Sequence, residues 1–226
     1  MQLSSKKAVL DFLKDKQFLT VLDAPSGDGW LAQALGGRVT IDGIDLYVNA
    51  PGYRKIWKHD LDMALPAECG QYDLICCCEG IEHVGNPLQL LRQFRQRLPA
   101  GGLLVLTTPN VWFPQARLQY FLRGFFPSFP CLAGKINPGT HMHITPWSWP
   151  HLYLYLKLAG FAEMELVPEP MSRAKHLHEH VLAIPGRMHC RGRERQATVQ
   201  EEKVFWRTAA SAASLLGRHL IVAARK

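Results

Sequence analysis

The chain has 226 residues, of which 47% are hydrophobic and 20% charged, and this suits a single globular domain with a sizeable core. Its formal net charge is +7, and residues 187–226 hold nine Lys or Arg against three Glu. This excess of positive charge fits either a solvated basic face or a site for an anion, nucleic acid or an anionic membrane surface. Because the sequence has no compact polybasic run, the solvated face is favoured. No apolar run approaches the roughly 20 residues that cross a bilayer.

Six cysteines include the consecutive Cys76, Cys77 and Cys78. Neighbours on a strand cannot bridge one another, and the sequence has no CxxC pair, so neither a disulfide scaffold nor a zinc knuckle is indicated. The three residues instead fit a buried strand in a reducing compartment. Residues 1–16 are polar and charged, unlike a signal peptide. We therefore expect a cytoplasmic protein.

Short apolar strands alternate with amphipathic helices over the first half of the chain. The pattern predicts helices at 5–18, 30–35 and 87–98, the last capped by Asn86 with Pro87 at its first position, and strands at 20–23, 39–44, 56–59, 72–78 and 103–107. Apolar strands separated by helices are typical of a parallel sheet that is covered on both faces.

The second half departs from this pattern before returning to it. Residues 109–146 are rich in aromatics, Pro and Gly and are too long for an ordinary connection, so we expect a lid or substrate-binding insertion there. A helix at 147–159 and a strand at 161–167 follow. Residues 168–200 are expected to be partly mobile, and a helix at 201–216 leads to a last strand at 219–224.

We therefore predict one α/β domain over residues 1–226, built on a doubly wound, mostly parallel seven-stranded sheet with helices on both faces. One insertion follows the fifth strand and another precedes the last strand. The cofactor-binding half would span about residues 18–108, the lid insertion 109–146 and the C-terminal part 147–226.

Acidic residues follow four of the predicted strands: Asp23, Asp45, Asp60 and Glu79. Parallel strands of an open α/β sheet end at one edge, and ligands bind beyond their carboxyl ends. The agreement of these four positions therefore predicts a ligand site at that edge.

The segment between the first strand and the next helix, residues 23–29, has the sequence DAPSGDG. Gly27, Gly29 and Ala32 match a dinucleotide fingerprint, with Asp45 near the expected separation. However, Asp23 would direct negative charge toward a pyrophosphate, and Pro25 lacks an N–H to bind it. A cationic sulfonium cofactor reverses this preference, because a nearby carboxylate attracts it.

An ordered set of motifs here resembles the Rossmann-like (class I) S-adenosylmethionine-dependent methyltransferases. Their first motif is usually DxGxGxG, so Pro25 replaces the first glycine. The later motifs are GIDL at 43–46, HDL at 59–61, YDLI at 72–75, EGIEH at 79–83 and PAGGLLVLTTPN at 99–110. The resemblance is nearest to the ubiquinone-pathway type (methyltransferase type 11). The chain also resembles methyltransferases of cell-envelope polysaccharide synthesis. This second similarity rests on the segments TPN at 108–110, HITP at 143–146 and AGF at 159–161.

The resemblance implies roles for individual residues. Asp45 would accept both ribose hydroxyls, Asp60 would bind the adenine amino group, and Leu46 and Leu61 would pack on the adenine ring. The resemblance also implies that the methionine half is lined by Asp23, Ala24, Pro25, Gly27 and Gly29. Cys78 and Glu79 would lie beneath the transferred methyl. The alternative for Asp23 and Asp45 is helix capping or turn formation.

A hydroxyl acceptor needs a base within hydrogen-bond reach. His83 is the first candidate, and His141 and His143 are the others; because they alternate along the chain, the last two share a face if extended, which suits a structural role equally well. EGIEH also resembles a motif proposed to hold a divalent cation in ubiquinone-type enzymes, which makes Glu79, Glu82 and His83 candidate ligands. Because Glu82 is equally suited to capping or to facing water, we expect no metal.

We expect an S-adenosylmethionine-dependent methyltransferase that acts on oxygen of a small molecule or of a cell-envelope glycan or lipid-linked acceptor. The aromatic and arginine-containing residues 117–126 would close over an apolar acceptor, pack as a lid, or contact a membrane interface. No nucleic-acid-binding module is recognised. The alternatives are an NAD(P)-dependent oxidoreductase and a non-catalytic nucleoside-binding module.

Overall fold

A computed structural model describes residues 2–47, 50–126, 142–169, 174 and 176–226. Within these residues, seven strands form one sheet: β1 (Thr20–Asp23), β2 (Thr40–Asp45), β3 (Lys55–Lys58), β4 (Leu74–Cys78), β5 (Leu103–Pro109), β6 (Ala162–Leu166) and β7 (His219–Arg225). Their order is β3-β2-β1-β4-β5-β7-β6. The first five are parallel, and β7 is antiparallel to both of its neighbours. The predicted seven-stranded, mostly parallel sheet is confirmed.

The helices of the described residues are α1 (Leu3–Leu13), α2 (Trp30–Leu35), α3 (Pro87–Arg97), α4 (Pro114–Arg123), α5 (Trp149–Ala159), α6 (Leu177–Gln196), α7 (Gln200–Ala209) and α8 (Ala212–Leu216), with a 3-10 turn at Ile81–His83. Successive strand residues enter opposite cores. Val21 packs with residues of α1 and α2, whereas Leu22 packs with residues of α3 and α5. Helices therefore cover both faces, which is why the central strands are apolar throughout.

Local chemistry accounts for several helix ends. The side chain of Asn86 accepts a hydrogen bond from the backbone N–H of Gln89 at 3.2 Å, and Pro87 occupies the first turn of α3, so the predicted cap is confirmed. Helix α5 begins after Ser148 and ends at Gly160, which has a φ of 92° that only glycine adopts without strain.

The C-terminal third differs from the sequence prediction. The expectation of a partly mobile segment is wrong for Leu177–Gln196, which forms one 20-residue helix although Pro185 lies inside it. Its buried Ala183 and Cys190 are seven residues apart, hence on one face, and packing of that face outweighs the missing Pro185 N–H. The single helix predicted at 201–216 is two helices, separated where Ser211 caps α8.

Part of the expected lid insertion is helical, because α4 lies within residues 109–146. Residues 127–141 of that segment, including His141, lie outside the described residues. The function of the insertion stays a prediction. None of the helices in the described ranges has both the length and the apolar character that crossing a bilayer requires.

One close contact joins the turn after β1 to the turn after β4. A Cβ placed on Gly80 would lie 2.2 Å from Cδ of Pro25 and 3.2 Å from Sγ of Cys77. The ring of Pro25 therefore occupies the volume that any side chain at position 80 would need. This contact explains why proline fits in place of the first glycine of the motif.

The variant Gly80→Ala tests this contact. Because its methyl would overlap the Pro25 ring, we expect unfolding free energy to fall by about 1–3 kcal/mol. The measurement is denaturant unfolding. Gly70→Ala is the matched control, since a Cβ there meets nothing within 4 Å, and it should change stability by less than about 0.5 kcal/mol. Equal losses in both variants would contradict this explanation.

Candidate active site

A cavity of about 560 Å³ opens at the carboxyl ends of β1, β2, β3 and β4. This volume lies in the range of small-molecule sites. Its wall is formed by Lys6, Pro25, Ser26, Gly27, Asp28, Trp30, Asp45, Leu46, Tyr47, His59, Asp60, Leu61, Asp62, Cys78, Glu79, Gly80, His83 and Val84. The structure thus brings together nine of the predicted site residues: Pro25, Gly27, Asp45, Leu46, Asp60, Leu61, Cys78, Glu79 and His83.

The turn after β1 is tied to the end of β2 by Asp45. Its Oδ2 accepts a hydrogen bond from Gly27 N at 2.9 Å, and its Oδ1 accepts one from Tyr47 N at 2.9 Å. Gly27 and Gly29 have φ values of 50° and 76°, the left-handed conformation in which glycine is not strained. Asp45 therefore shapes the turn and also lines the cavity, where its remaining lone pairs can accept from a ligand.

Asp60 and Asp62, from the segment after β3, form another part of the wall. Oδ1 of Asp60 accepts from Asp62 N at 2.9 Å, and Oδ1 of Asp62 accepts from Gly85 N at 2.7 Å and Asn86 N at 3.0 Å. Asp62 thereby joins the segment after β3 to the start of α3.

Three residues predicted to bind the cofactor lie behind the wall. Asp23 and Ala24 are fully buried, and Gly29 packs so closely that an added Cβ would lie 2.7 Å from Cβ of Ala50. Oδ2 of Asp23 accepts from the Tyr53 hydroxyl at 2.6 Å, whereas its Oδ1 makes no hydrogen bond among the described residues. Burial raises the pKa of Asp23 to about 7, although the Tyr53 hydrogen bond opposes the shift. Their roles toward a cofactor stay predictions.

Cys78 is the last residue of β4, and both it and the following Glu79 line the cavity. Glu79 has a φ of 53°, which is uncommon for a residue other than glycine. Its amide donates to Thr107 O at 2.9 Å, and its Oε1 accepts from the Thr107 hydroxyl at 3.2 Å. Burial raises the pKa values of the Cys76, Cys77 and Cys78 thiols well above the ordinary value, so these residues stay protonated and apolar.

Glu82 does not face water: it is 1% exposed. Its Oε2 accepts from the Thr108 hydroxyl at 3.0 Å, and its backbone carbonyl accepts from Ile144 N at 2.8 Å and Thr145 N at 3.1 Å. Burial, with the nearby Glu79 carboxylate as the second cause, raises the pKa of Glu82 to about 8. The expectation of a capping or solvated Glu82 is therefore wrong.

Residues 142–145 place His143 beside His83. The two rings meet edge to face with centroids 4.8 Å apart, and Nδ1 of His83 lies 3.0 Å from the carbonyl oxygen of Met142. A carbonyl only accepts, so Nδ1 carries the proton and Nε2 is the basic nitrogen of the neutral ring. Burial, and secondly the nearby His83 when its ring is protonated, lowers the pKa of His143.

Ligand atoms of Glu82, His83 and His143 all lie within 4.8 Å of one another. Oε1 of Glu82 makes no hydrogen bond within the described chain. One carboxylate and two imidazoles are a donor set that suits a divalent transition metal, so these residues fit one. Glu79, one of the three ligands suggested by the sequence, is outside this group. His143 is the third member in its place. The expectation that the chain holds no metal stays a prediction.

Several residues of the cavity wall were missed by the sequence analysis. Lys6 comes from α1 and pairs with Asp28 at 3.0 Å. Asp28 belongs to the DAPSGDG segment and Asp62 follows HDL by one residue, so both could have been found as acids beside recognised motifs. Lys6 offered no such signal, because only the packing of α1 brings it to the cavity.

Comparison with known proteins agrees with this geometry. A family model described as a methyltransferase domain matches residues 2–166. The ubiquinone biosynthesis O-methyltransferase of Pseudomonas paraeruginosa is 31% identical over 107 residues, which are 40% of this chain and 44% of that protein. The chain thus matches less than half the length of this relative.

Two solved structures share the fold. A SAM-dependent methyltransferase from Thermotoga maritima superposes with a TM-score of 0.58 at 15% identity, covering 99% of this chain and 88% of that one. The 1,6-didemethyltoxoflavin-N1-methyltransferase of Burkholderia thailandensis, solved with S-adenosylhomocysteine, gives 0.54 at 16% identity, covering 99% and 78%. Together with the family match and the motifs at its strand ends, the fold confirms that the chain belongs to the Rossmann-like methyltransferase family.

Proposed function

We propose that the chain transfers a methyl group from S-adenosylmethionine to oxygen of an acceptor. The observation that carries this proposal is the charge of the cavity wall. Five carboxylates line it, from Asp28, Asp45, Asp60, Asp62 and Glu79, whereas Lys6 is the one Lys or Arg of the wall as described. S-adenosylmethionine carries a sulfonium and an ammonium, which such a wall attracts, and the pyrophosphate of NAD(P) would be repelled.

The individual contacts support the same ligand. Asp45 and Asp60 are spaced along the wall as acceptors for hydroxyl and amino groups, and Leu46 and Leu61 add apolar surface for a ring. Methyl transfer is an in-line displacement at carbon, so the protein accelerates it largely by holding donor and acceptor aligned. Cys78 and Glu79 are the cavity residues at the end of the central strand β4, and we place the transferred methyl beside them.

Isothermal titration separates the cofactor classes. We expect S-adenosylhomocysteine to bind with micromolar affinity and NAD(H) to show no heat of binding, because the acidic wall attracts the ammonium of the former and repels the pyrophosphate of the latter. Asp45→Asn should weaken S-adenosylhomocysteine by at least tenfold, since it removes charge from a bidentate acceptor. Tight NAD(H) binding, or none by either ligand, would refute the proposal; the latter result would favour a non-catalytic module.

Asp23→Asn tests the link between the site and stability. The pKa of Asp23 is about 7 when folded and 3.8 in the reference state, so folding takes up a proton between these pH values. Wild-type stability therefore falls as pH rises through this window, and the variant escapes that loss. We expect the variant to be more stable by on the order of 1–3 kcal/mol at pH 8, with the difference vanishing near pH 4. Its affinity for S-adenosylhomocysteine should nevertheless fall.

Asp73→Asn is the control, because its effect on stability should depend on pH in the opposite direction. Its carboxylate accepts from Leu19 N and Thr20 N, which lowers the pKa of Asp73. That variant should lose stability at neutral pH and approach the wild type at acid pH. Thermal melts of both variants from pH 2 to pH 8 give the comparison, because the loss in Asp73→Asn disappears only below pH 3.8. Parallel curves for Asp23→Asn and the wild type would contradict the assigned pKa.

The acceptor class is suggested by an apolar face on α4 and α6. Arg117 of α4 donates to the carbonyl of Leu182 in α6 at 3.0 Å, which joins the two helices. We define the face by its exposed side chains: Leu118, Tyr120, Phe121, Leu122, Leu177, Val181, Leu182, Ile184 and Met188. Residues 83–162 contain no Asp or Glu, so the α4 side of this face carries no carboxylate.

Such a surface favours an apolar or lipid-linked acceptor, a cell-envelope glycan on a lipid carrier included, over a small polar molecule. The aromatic and leucine side chains would hold the apolar part, and contact with an anionic membrane surface would follow from the same composition. A cytoplasmic location is supported by the free thiols of the described cysteines.

His83 is the base in this proposal. It lines the cavity, and its Nε2 is the basic nitrogen, while Met142 O fixes the ring through Nδ1. Glu82 and His143 lie against it and keep it in place. A divalent cation bound to the three residues would be the alternative to this role, because it would take Nε2 of His83; it would then polarise an acceptor hydroxyl and lower its pKa in place of the imidazole base.

A methyl-transfer screen with labelled cofactor against lipid, glycan and quinone-precursor extracts identifies the acceptor. With that acceptor, His83→Ala should lower kcat by about 10²-fold or more, while S-adenosylhomocysteine affinity stays within about twofold. His189→Ala, at an exposed position of α6 where the ring meets Trp206 of α7, is the control. Titration with Zn²⁺ and Mn²⁺ of wild type and His143→Ala tests for the cation separately. Unchanged turnover in both His83→Ala and His143→Ala would remove them as base candidates.

A further inference from the structure

A second group of titratable side chains, which does not include His83 or His143, adjoins Glu79. His219, the first residue of β7, is paired with Pro109 at the end of β5 and so lies at the same edge of the sheet as the cavity. Nε2 of His219 is 3.9 Å from Oε2 of Glu79, and its Nδ1 is 3.9 Å from Oε2 of Glu169. One imidazole therefore stands between two carboxylates.

Glu79, His219 and Glu169 form a row of three side chains that are largely buried. The side chains of His219, Glu79 and Glu169 are 10%, 20% and 1% exposed. Burial would lower the pKa of His219, but Glu169 and Glu79 outweigh it and the pKa is raised, which favours the imidazolium. A buried carboxylate without a cation is costly, so the imidazolium supports both acids.

Glu169 extends the row to the N-terminal helix. Its Oε1 accepts from the hydroxyls of Ser4 at 2.9 Å and Ser5 at 2.7 Å, both in α1. The next residue of α1, Lys6, lines the cavity and pairs with Asp28. Helix α1 is thus attached to the cavity at two points, once through Asp28 and once through Glu169 and His219.

We propose that His219 is a positioning residue that holds the Glu79 carboxylate in place for the cofactor, and that Glu169, fixed by Ser4 and Ser5, holds His219. This inference rests on the proposed function. Glu79 has a φ of 53°, a backbone conformation that is costly for a residue with a side chain and persists only where its surroundings determine it. Thr107 fixes one carboxylate oxygen and His219 faces the other. An ordinary surface glutamate would need neither support.

A double-mutant cycle on S-adenosylhomocysteine affinity tests this role. We expect His219→Gln and Glu79→Gln each to weaken binding about tenfold, and the double variant to be no weaker than Glu79→Gln alone, because His219 acts through Glu79. A purely structural His219 would give multiplied losses instead. His180→Gln is the matched control and should leave the affinity unchanged. Multiplied losses, or no loss in His219→Gln, would overturn the proposal.

A second measurement applies if His219→Gln does not fold. The imidazole of His219 is titrated by NMR in the wild type and in Glu79→Gln and Glu169→Gln. Removal of either carboxylate should lower its pKa, and an unchanged titration in Glu79→Gln would overturn the proposal. If the wild type binds no S-adenosylhomocysteine, the proposed function fails together with this inference. If it binds and the losses multiply, only the positioning role fails.

Discussion

The hydrogen bond from Gly27 N to Asp45 Oδ2 joins the two strand ends on which the cavity is built. It requires a turn that only glycine enters without strain and an acid at the end of the neighbouring parallel strand. Parallel pairing of β1 with both β2 and β4 supplies this arrangement, because all three strands end at one edge. A second hydrogen bond, from Ser26 N to Ile44 O at 2.8 Å, ties the same turn to β2, so the two bonds together hold this part of the wall in shape.

The same edge concentrates negative charge in a partly dry environment. Asp23 is fully buried and Glu82 nearly so, and the pKa of each is raised chiefly by burial. Both groups weaken folding at neutral pH, since the unfolded chain ionises them freely. Natural enzymes retain such groups where charge is needed for binding or proton transfer. A cationic ligand would offset the repulsion, so occupancy of the cavity and stability of the fold are coupled.

Much of the fold could be predicted from the sequence because the signals were local. The apolar run ending in Asp23, the glycines after it and the Asn86 cap each determine structure within a few residues. Helix α6 could not be predicted, because Pro185 and the surrounding polar residues argue against a helix until packing on α7 and α8 is known. The burial of Glu82 depends on amides at positions 144 and 145, about 60 residues away, and no local pattern records that contact.

The place of β7 has a consequence for how the chain assembles. This strand lies between β5 and β6 although it follows both in sequence. In the sheet, β6 has β7 as its neighbour, so β6 has no backbone partner until β7 has been inserted. Glu169, just after β6, and His219, at the start of β7, therefore meet only once β7 has paired with β6. Non-local pairing of this kind slows folding, so the ion pairs that His219 makes with Glu79 and Glu169 depend on the slower, long-range part of sheet assembly.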